Sequence, residues 1–381
     1  MAEGFPEAEF RDRLERLQGH MGDLDALLLT SPADIFWITG FLTRFWESPA
    51  RPWFVLVPRA GDPGAVIPSI GAALMGATWL RDVRTWDAPD PDDDGVSLLA
   101  EAVRELVPAS GALGVPMGLE TALRMPLADY ERLREAIAPR AIQDGTQAIQ
   151  RAREVKSDAE VDKIRGTCAL AGRAFDAAPG FATPGRGLDA VFRDFQAALL
   201  REGADWVSYV AGAAGPAGYD DVIAPAGPQK LAAGDVLMLD TGAVRDGYFC
   251  DFDRNIAIGP VAPRVADVHR ALWDVTENAL EALRPGMTAA DVHALMASGL
   301  EAGGCTPCPG RLGHGLGVTL TEWPSFTPKD QTVLRAGMVL TLEPSAFTEG
   351  GHFLTHEENI VLRAGGPELL SPRAPREMVQ A

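Results

Sequence analysis

Apolar and polar positions divide the chain into short alternating runs. Residues 9–22 repeat apolar side chains at helical spacing and predict an amphipathic helix. "LDALLLTS" reads as a buried strand, followed by a turn at "PAD" and a second apolar run, "IFWITGF". "RPWFVLVP" and "GAVIPS" predict two further strands, with helices near 96–107 and 127–137. From Ser157 a charged helix begins. Ser157 followed by Glu160 is a capping box, and apolar residues then recur every three or four positions. Another helix is predicted over 187–202. The period then changes to strands in "VLMLDTGAV" and "GYFCDFDRNIAI". It returns to helix near 264–282 and 288–303, and ends in strands at "MVLTLEPSAF" and "HFLTHEENIVLR". The pattern predicts an α/β (α+β) protein of two domains, 1–150 and 151–381, with the boundary at about 148–152. The second domain reads helix, helix, strands, helix, helix, strands, which hints at two related halves.

Composition narrows the class. The chain has 381 residues and a formal net charge of −19. A surplus of acids argues against nucleic acid or anionic membrane as a partner. The longest apolar run, "AVIPSIGAALMGATWL", is too short to span a bilayer and carries Pro and Gly. The charged N-terminus is unlike a secretory signal, so a cytoplasmic location is expected. Cys168 and Cys250 read as single buried residues; Cys305 and Cys308 form a CxxC with too few further ligands for a structural zinc site. The acid run in "DAPDPDDDG" is most simply a solvated loop.

Four acids stand where acids are costly. Asp240, Asp251, Glu343 and Glu357 each interrupt an apolar strand. A carboxylate is rarely buried unless it is paired or holds a metal. Four separate buried ion pairs would be expensive, and the strands offer only Arg254 nearby. One site holding the four acids and His314 is the more economical account. Mixed carboxylate and imidazole donors suit Mn, Fe, Co or Zn.

The order of these residues resembles the pita-bread metallopeptidases, the family of aminopeptidase P, prolidase, methionine aminopeptidase and creatinase. The matching features are Asp240, Asp251 eleven residues on, "GHGLG" at His314, "LEP" at Glu343 and Glu357 before an apolar strand. "DALLLTSPADIFWITGF" resembles the opening of the family's creatinase-like N-terminal domain, and "REVKSDAEVDKIR" the first helix of its catalytic pita-bread domain. The resemblance implies two divalent metal ions, with Asp240 on one, Asp251 and Glu357 bridging, and His314 and Glu343 completing the other. It implies hydrolysis of an amide or peptide bond by a metal-bridging hydroxide, with Glu343 as catalytic proton shuttle. It also implies a homodimer, in which the N-terminal domain of one subunit lies near the site of the other. The aromatic stretch "FLTRFWESPARPWF" supports that, because it reads as more apolar surface than a monomer leaves exposed.

The sequence departs from the family in its substrate half. The peptidases carry a histidine about seven residues after the ligand histidine, where Thr321 stands. They carry another about seventeen residues before the first aspartate, which falls at Ile223 in "YDDVIAPAG". Metal binding is therefore expected, and activity on ordinary peptides is expected to be weak, with a compact carboxylate-bearing substrate instead. Tyr219, Asp220, Thr321, Arg51 and Trp46 are the candidate substrate contacts. Arg254 and His356 are candidates to support the ligands from behind. His20, His269 and His293 read as surface residues on helices. The alternative from another reaction class is a metal-dependent lyase or osmolyte-processing enzyme, similar to dimethylsulfoniopropionate lyases or ectoine hydrolases. A non-catalytic binding module is disfavoured, since all five ligands are present.

Overall fold

The structure is a computed structural model that describes residues 4–47, of Glu47 the backbone alone, and 51–381. It divides into two compact units, Met1–Arg153 and Glu154–Ala381.

The first unit is one mixed sheet with helices. Its strands are β1 (Ala26–Leu29), β2 (Phe54–Pro58), β3 (Gly64–Pro68), β4 (Asp82–Trp86), β5 (Ala112–Val115) and β6 (Ala141–Asp144), in the order β4-β3-β2-β1-β5-β6. β1 and β2 are the fully buried centre, which is why they read as unbroken apolar runs. The edge strands β4 and β6 are half-exposed and polar, and the apolar pattern misses them. Leu28, Phe54, Leu56, Leu99, Val103 and Leu113 form its core. Two sequence expectations change here. "PAD" is not a turn between strands but the first turn of a helix, Pro32–Thr39: Ser31 caps Asp34 N at 3.0 Å and Pro32 takes the first helical position. The stretch 41–54 is not an exposed aromatic face either. Phe41 and Trp53 are buried, and the Trp46 ring packs against both. Only Leu42 and Phe45 remain open among its described large apolar residues; residues 48–50 lie outside the described set.

In the second unit the element order runs twice through helix, helix, sheet. Helices Asp158–Ala177 and Leu188–Arg201 precede the strands β7 (Trp206–Ala211), β8 (Ala214–Gly215), β9 (Val236–Arg245), β10 (Tyr248–Phe249) and β11 (Phe252–Ala257). Helices Pro263–Ala282 and Ala289–Ala302 precede β12 (Thr306–Pro307), β13 (His314–Gly315), β14 (Glu322–Ser325), β15 (Val339–Leu342), β16 (Ser345–Phe347), β17 (Phe353–Thr355), β18 (Glu358–Arg363), β19 (Gly366–Leu369) and β20 (Val379–Gln380). The capping box at Ser157 and Glu160 is formed in both directions. β9 is central in one sheet, between β10 and β11, with β7 and β8 also on it. β14-β13-β15-β18-β19 forms another. Met238, Leu272, Leu340 and Ile360 join both halves in a single core. Three of the four site acids fall just outside the ends of strands, and the fourth lies within β9. Asp251 precedes β11, Glu343 follows β15, Glu357 precedes β18, and Asp240 sits opposite Asp253 in the β9–β11 ladder.

Candidate metal centre

The glycines on either side of His314 have a steric reason. Gly313 holds φ +142°, and a Cβ there would lie 2.3 Å from the Thr341 carbonyl oxygen. Thr341 also accepts the His314 backbone N–H on its Oγ1 at 3.1 Å, so β13 is drawn tightly onto β15. The imidazole is thereby fixed and buried. Its Nδ1 lies 2.8 Å from the Gly315 carbonyl, which can only accept, so Nδ1 carries the proton. Nε2 then faces Asp251 Oδ2 at 3.3 Å.

Asp251, His314 and Glu357 each place a ligand atom within 4.8 Å of the others, the one such group found among the described residues. Asp240 joins them through Tyr209, whose hydroxyl reaches Asp240 Oδ2 at 2.8 Å and Asp251 Oδ1 at 2.5 Å. Glu343 is close enough that the charges of His314, Asp251 and Asp240 all act on it. The five residues singled out in the sequence therefore gather in one place.

Electrostatically the cluster is starved of positive charge. Burial first, then Asp251, pushes Asp240 up to about 8. Burial lifts Asp251 to about 7, against the Tyr209 hydrogen bond and the charge of Arg311. Burial also lifts Glu343 to about 7, with His314 opposing, and raises Glu357 well above its usual range, with Asp251 adding to it. Asp240 Oδ1 and Glu357 Oε1 are enclosed and have no hydrogen-bond partner. Orphaned carboxylate oxygens gathered beside an imidazole Nε2 fit divalent cations: metal charge cancels the repulsion and the lone pairs become ligand bonds.

A pH dependence follows. The folded, metal-free chain holds protons on these acids up to about pH 7 to 8, whereas the unfolded chain releases them near ~4. The stability of the metal-free protein should therefore fall as pH rises through that window. Metal displaces the same protons, so the Tm gained on metal loading is expected to grow from pH 5 to pH 8. Melting curves with and without chelator at both pH values check this, and a gain that shrinks with pH contradicts it.

Three supporting residues went unnoticed in the sequence. Tyr209 lies on β7, whose mixed "WVSYVA" pattern is half-buried and shows no clean alternation. Burial, then the charges of Asp240 and Asp251, raises its phenol well above the ordinary value, so it acts as a donor. Tyr209→Phe is expected to cut activity or metal affinity by ~10–100-fold, as for other groups that orient ligands. Metal titration of that variant checks it. Asn359 is the second: its Oδ1 accepts Asp251 N–H at 2.9 Å and its Nδ2 donates back to the Asp251 carbonyl. Its signal was available, since it is one of three asparagines in the chain and stands in an apolar strand. The third is Arg311, an exposed guanidinium that donates to Thr321 Oγ1 at 3.2 Å and draws Asp251 and Glu343 down.

The remaining candidates fall elsewhere. Tyr219 is not on an open loop: it is buried in the core, with its hydroxyl 3.1 Å from Asn255 Oδ1 and 2.7 Å from Thr355 N. Asp220 is exposed, and Ile223 stands 88% exposed on a turn whose backbone amides bond to Asp221. Within the first unit, Arg124 donates to the carbonyls of Trp46 and Arg51, and the Arg51 guanidinium lies over Phe45. Arg254 orients Glu357 through its backbone, donating to the carbonyl at 3.0 Å, and gives its other nitrogen to Glu358. Asp253 completes that support by accepting Glu357 N–H at 2.7 Å. His356 is buried but makes no hydrogen bond to a ligand side chain; adjacent residues on extended chain face opposite ways, and its ring packs edge-on against His269 at 6.1 Å. His269 is also buried, contrary to the sequence reading, while His20 is exposed and His293 half-buried. All four cysteines are unpaired. Among the described residues no helix is long and apolar enough to cross a membrane.

Comparison with known proteins adds the lineage. Residues 13–155 match the creatinase/prolidase N-terminal domain, and residues 162–364 match metallopeptidase family M24. The chain is 28% identical over 368 residues to a probable dipeptidase, PepE, of Mycobacterium tuberculosis, covering 93% of this chain and 92% of that one. It is 26% identical over 383 residues to the Xaa-Pro dipeptidase of Pyrococcus furiosus, covering 97% and 100%. The crystal structure of dipeptidase PepE from Mycobacterium ulcerans superposes with a TM-score of 0.85 at 28% identity, over 99% of both chains. The matched domains and the buried acid and histidine cluster agree: this chain belongs to metallopeptidase family M24, with a creatinase/prolidase N-terminal domain ahead of its pita-bread catalytic domain.

Proposed function

We propose that the protein is a dinuclear metal-dependent hydrolase that cleaves the amide bond of dipeptide-sized substrates bearing a free carboxylate. The observation that carries this reading is the pair of enclosed, unpartnered oxygens, Asp240 Oδ1 and Glu357 Oε1, beside the His314 imidazole. Asp240, Asp251, His314, Glu343 and Glu357 would hold two ions of Mn, Fe, Co or Zn. When bound, the metals supply Lewis acidity and lower the pKa of water toward neutrality. The chain supplies the rest. Tyr209 fixes the Asp240 and Asp251 carboxylates, Asn359 and Arg254 fix the backbone of Asp251 and Glu357, and the Glu343 carboxylate carries the proton from the attacking water to the leaving amine. The printed names of the relatives, dipeptidase and Xaa-Pro dipeptidase, favour a short peptide as substrate. The test is release of the free amino acid from a panel of dipeptides by protein stripped with chelator and reloaded with each metal; no release with any metal overturns the reading.

Arg311 recognises the substrate carboxylate in this reading. It is the exposed cation whose charge reaches both Asp251 and Glu343, and Thr321 steadies it. Hydrogen bonds to a charged group contribute about 1.5–3 kcal/mol. Arg311→Ala is thus expected to lower kcat/KM by ~10–150-fold for a free dipeptide. The corresponding dipeptide amide should lose little, and an equal loss on both substrates removes Arg311 from this role.

A homodimer in the cytoplasm is part of the proposal, resting on the family resemblance now that Phe41 and Trp53 are seen to pack internally. Sedimentation at micromolar concentration is expected to give a dimer; a monomer ends that part.

A further inference from the structure

The loop that ends in Thr321 closes on a single carboxylate. Glu322, the first residue of β14, accepts Val318 N–H at 2.9 Å and Thr319 N–H at 3.2 Å, both on Oε1. Its other oxygen, Oε2, accepts from Lys156 Nζ at 2.8 Å. Both side chains are buried, 2% exposed for Lys156 and 5% for Glu322. The fit is close, since a Cβ on Gly317 would lie 2.7 Å from Oε1. Three further bonds tighten the turn. Gly317 N–H donates to the Thr319 carbonyl at 3.2 Å, and the Thr319 hydroxyl donates to the Thr321 carbonyl at 2.9 Å. Phe249 N–H, two residues before Asp251, donates to the Gly317 carbonyl at 2.9 Å.

A buried ion pair is a poor source of stability, because desolvation offsets the attraction. Its use here is geometric. Lys156 stands next to Ser157, the cap of helix Asp158–Ala177, and its own backbone N–H is held by the Gly337 carbonyl at 2.9 Å. The cation is therefore anchored, and residues 317–321 are gathered against it through Glu322. At the end of that loop, Thr321 accepts Arg311 on Oγ1 at 3.2 Å. Arg311 is the residue that reads the substrate carboxylate in the function proposed above. The chain of contacts runs from Lys156 to Glu322, through the loop to Thr321, and on to Arg311.

We propose that Lys156 and Glu322 are positioning residues for substrate recognition: their buried pair fixes the 317–321 loop so that Thr321 holds Arg311, and thereby sets the preference for a free substrate carboxylate. This deepens the hydrolase reading and rests on it. A carboxylate accepts on both oxygens, whereas a carboxamide accepts on one atom and donates from the other. Glu322→Gln therefore cannot serve Lys156 and the two loop amides together. With the cation removed as well, in Lys156→Met/Glu322→Gln, the amide oxygen can return to the loop.

The experiment measures kcat and KM of three metal-loaded, full-length proteins: wild type, Glu322→Gln and Lys156→Met/Glu322→Gln. The substrates are the dipeptide that the panel above shows to be cleaved fastest and the amide of that dipeptide. Bound metal and Tm are recorded on the same samples. Glu322→Gln is expected to raise KM for the free dipeptide ~10-fold or more, as misplacement of a binding group does, with a much smaller change for the amide and in kcat. Metal content should equal that of wild type, because neither residue belongs to the ligand set. The double variant should recover part of the preference for the free acid. An equal loss on both substrates, or lost metal, would make the pair merely structural and overturn the proposal. No change in KM overturns it too, as does a double variant no better than Glu322→Gln. Should Glu322→Gln fail to fold, Lys156→Arg, which keeps the charge and moves it, takes its place with the same expected split between acid and amide. Failure of the hydrolase reading looks different: wild type then cleaves no dipeptide with any metal, and the positioning role falls with it.

Discussion

Replacing Asp251 by asparagine is expected to abolish metal binding and activity together while leaving the fold intact. Asp251 is where the cluster converges: its two oxygens meet Tyr209 and His314, and its charge acts on Asp240, Glu343 and Glu357. An amide keeps the volume and the backbone contacts to Asn359 but surrenders the negative charge that a bridging ligand needs. A metal site contributes several kcal/mol to the transition state, so loss of a shared ligand should cost ~1000-fold or more in kcat. The fold should survive for a second reason. Asp251 is held near 7 by burial, so above that pH its ionised form burdens the metal-free protein. At pH 8 with chelator, Asp251→Asn is expected to melt no lower than wild type, whereas with metal the wild type should melt well above it. Melting curves and metal content by mass spectrometry check both halves. Wild-type metal content and turnover in the variant would remove Asp251 from the site.

Wild-type protein is expected to turn over Xaa-Pro dipeptides far below ~10 per second, the median for enzymes, and Thr321→His is expected to raise that rate. The resemblance that places a histidine at position 321 gives it contact with the scissile amide and the developing oxyanion. Losing one such donor typically costs ~100–1000-fold. Thr321 is half-buried and its hydroxyl receives a hydrogen bond from Arg311. It steadies a cation and offers no imidazole. The second missing histidine falls at Ile223, which projects into solvent. Restoring an imidazole at 321 should recover part of the lost factor in kcat, with any rise in KM from the lost Arg311 bond smaller than the gain in kcat. The panel is Xaa-Pro dipeptides at saturating metal. Turnover near the enzyme median in wild type shows that neither histidine was needed. No rise in Thr321→His places the altered specificity elsewhere in the pocket.

The buried cluster of the candidate metal site was legible because burying acids is costly. Each of the four acids stood out against an apolar strand, and their order matched a family. Asn359 carried the same kind of signal and was passed over. Tyr209 was not legible, since a tyrosine in a mixed strand has no periodic signature, and its bond to Asp240 depends on how β7 registers against β9. Tyr219 misled for the converse reason: neighbouring Asp and Gly residues suggest a loop, but its ring fills the core and its hydroxyl is used by Thr355 and Asn255. His356 and His269 show the same limit. Sequence placed one beside a ligand and the other on a helix surface; packing buried both, against each other. In the first unit the central strands announced themselves by burial on both faces, and the polar edge strands did not.

The most direct test of a dinuclear hydrolytic centre is stepwise metal return to chelator-stripped protein at pH 8, with bound metal and dipeptide hydrolysis read in the same samples. The account predicts no hydrolysis in the stripped protein, two equivalents bound per chain at saturation, and neither binding nor hydrolysis in Asp251→Asn. Full hydrolysis by the stripped protein, or unaltered metal binding by Asp251→Asn, would contradict it.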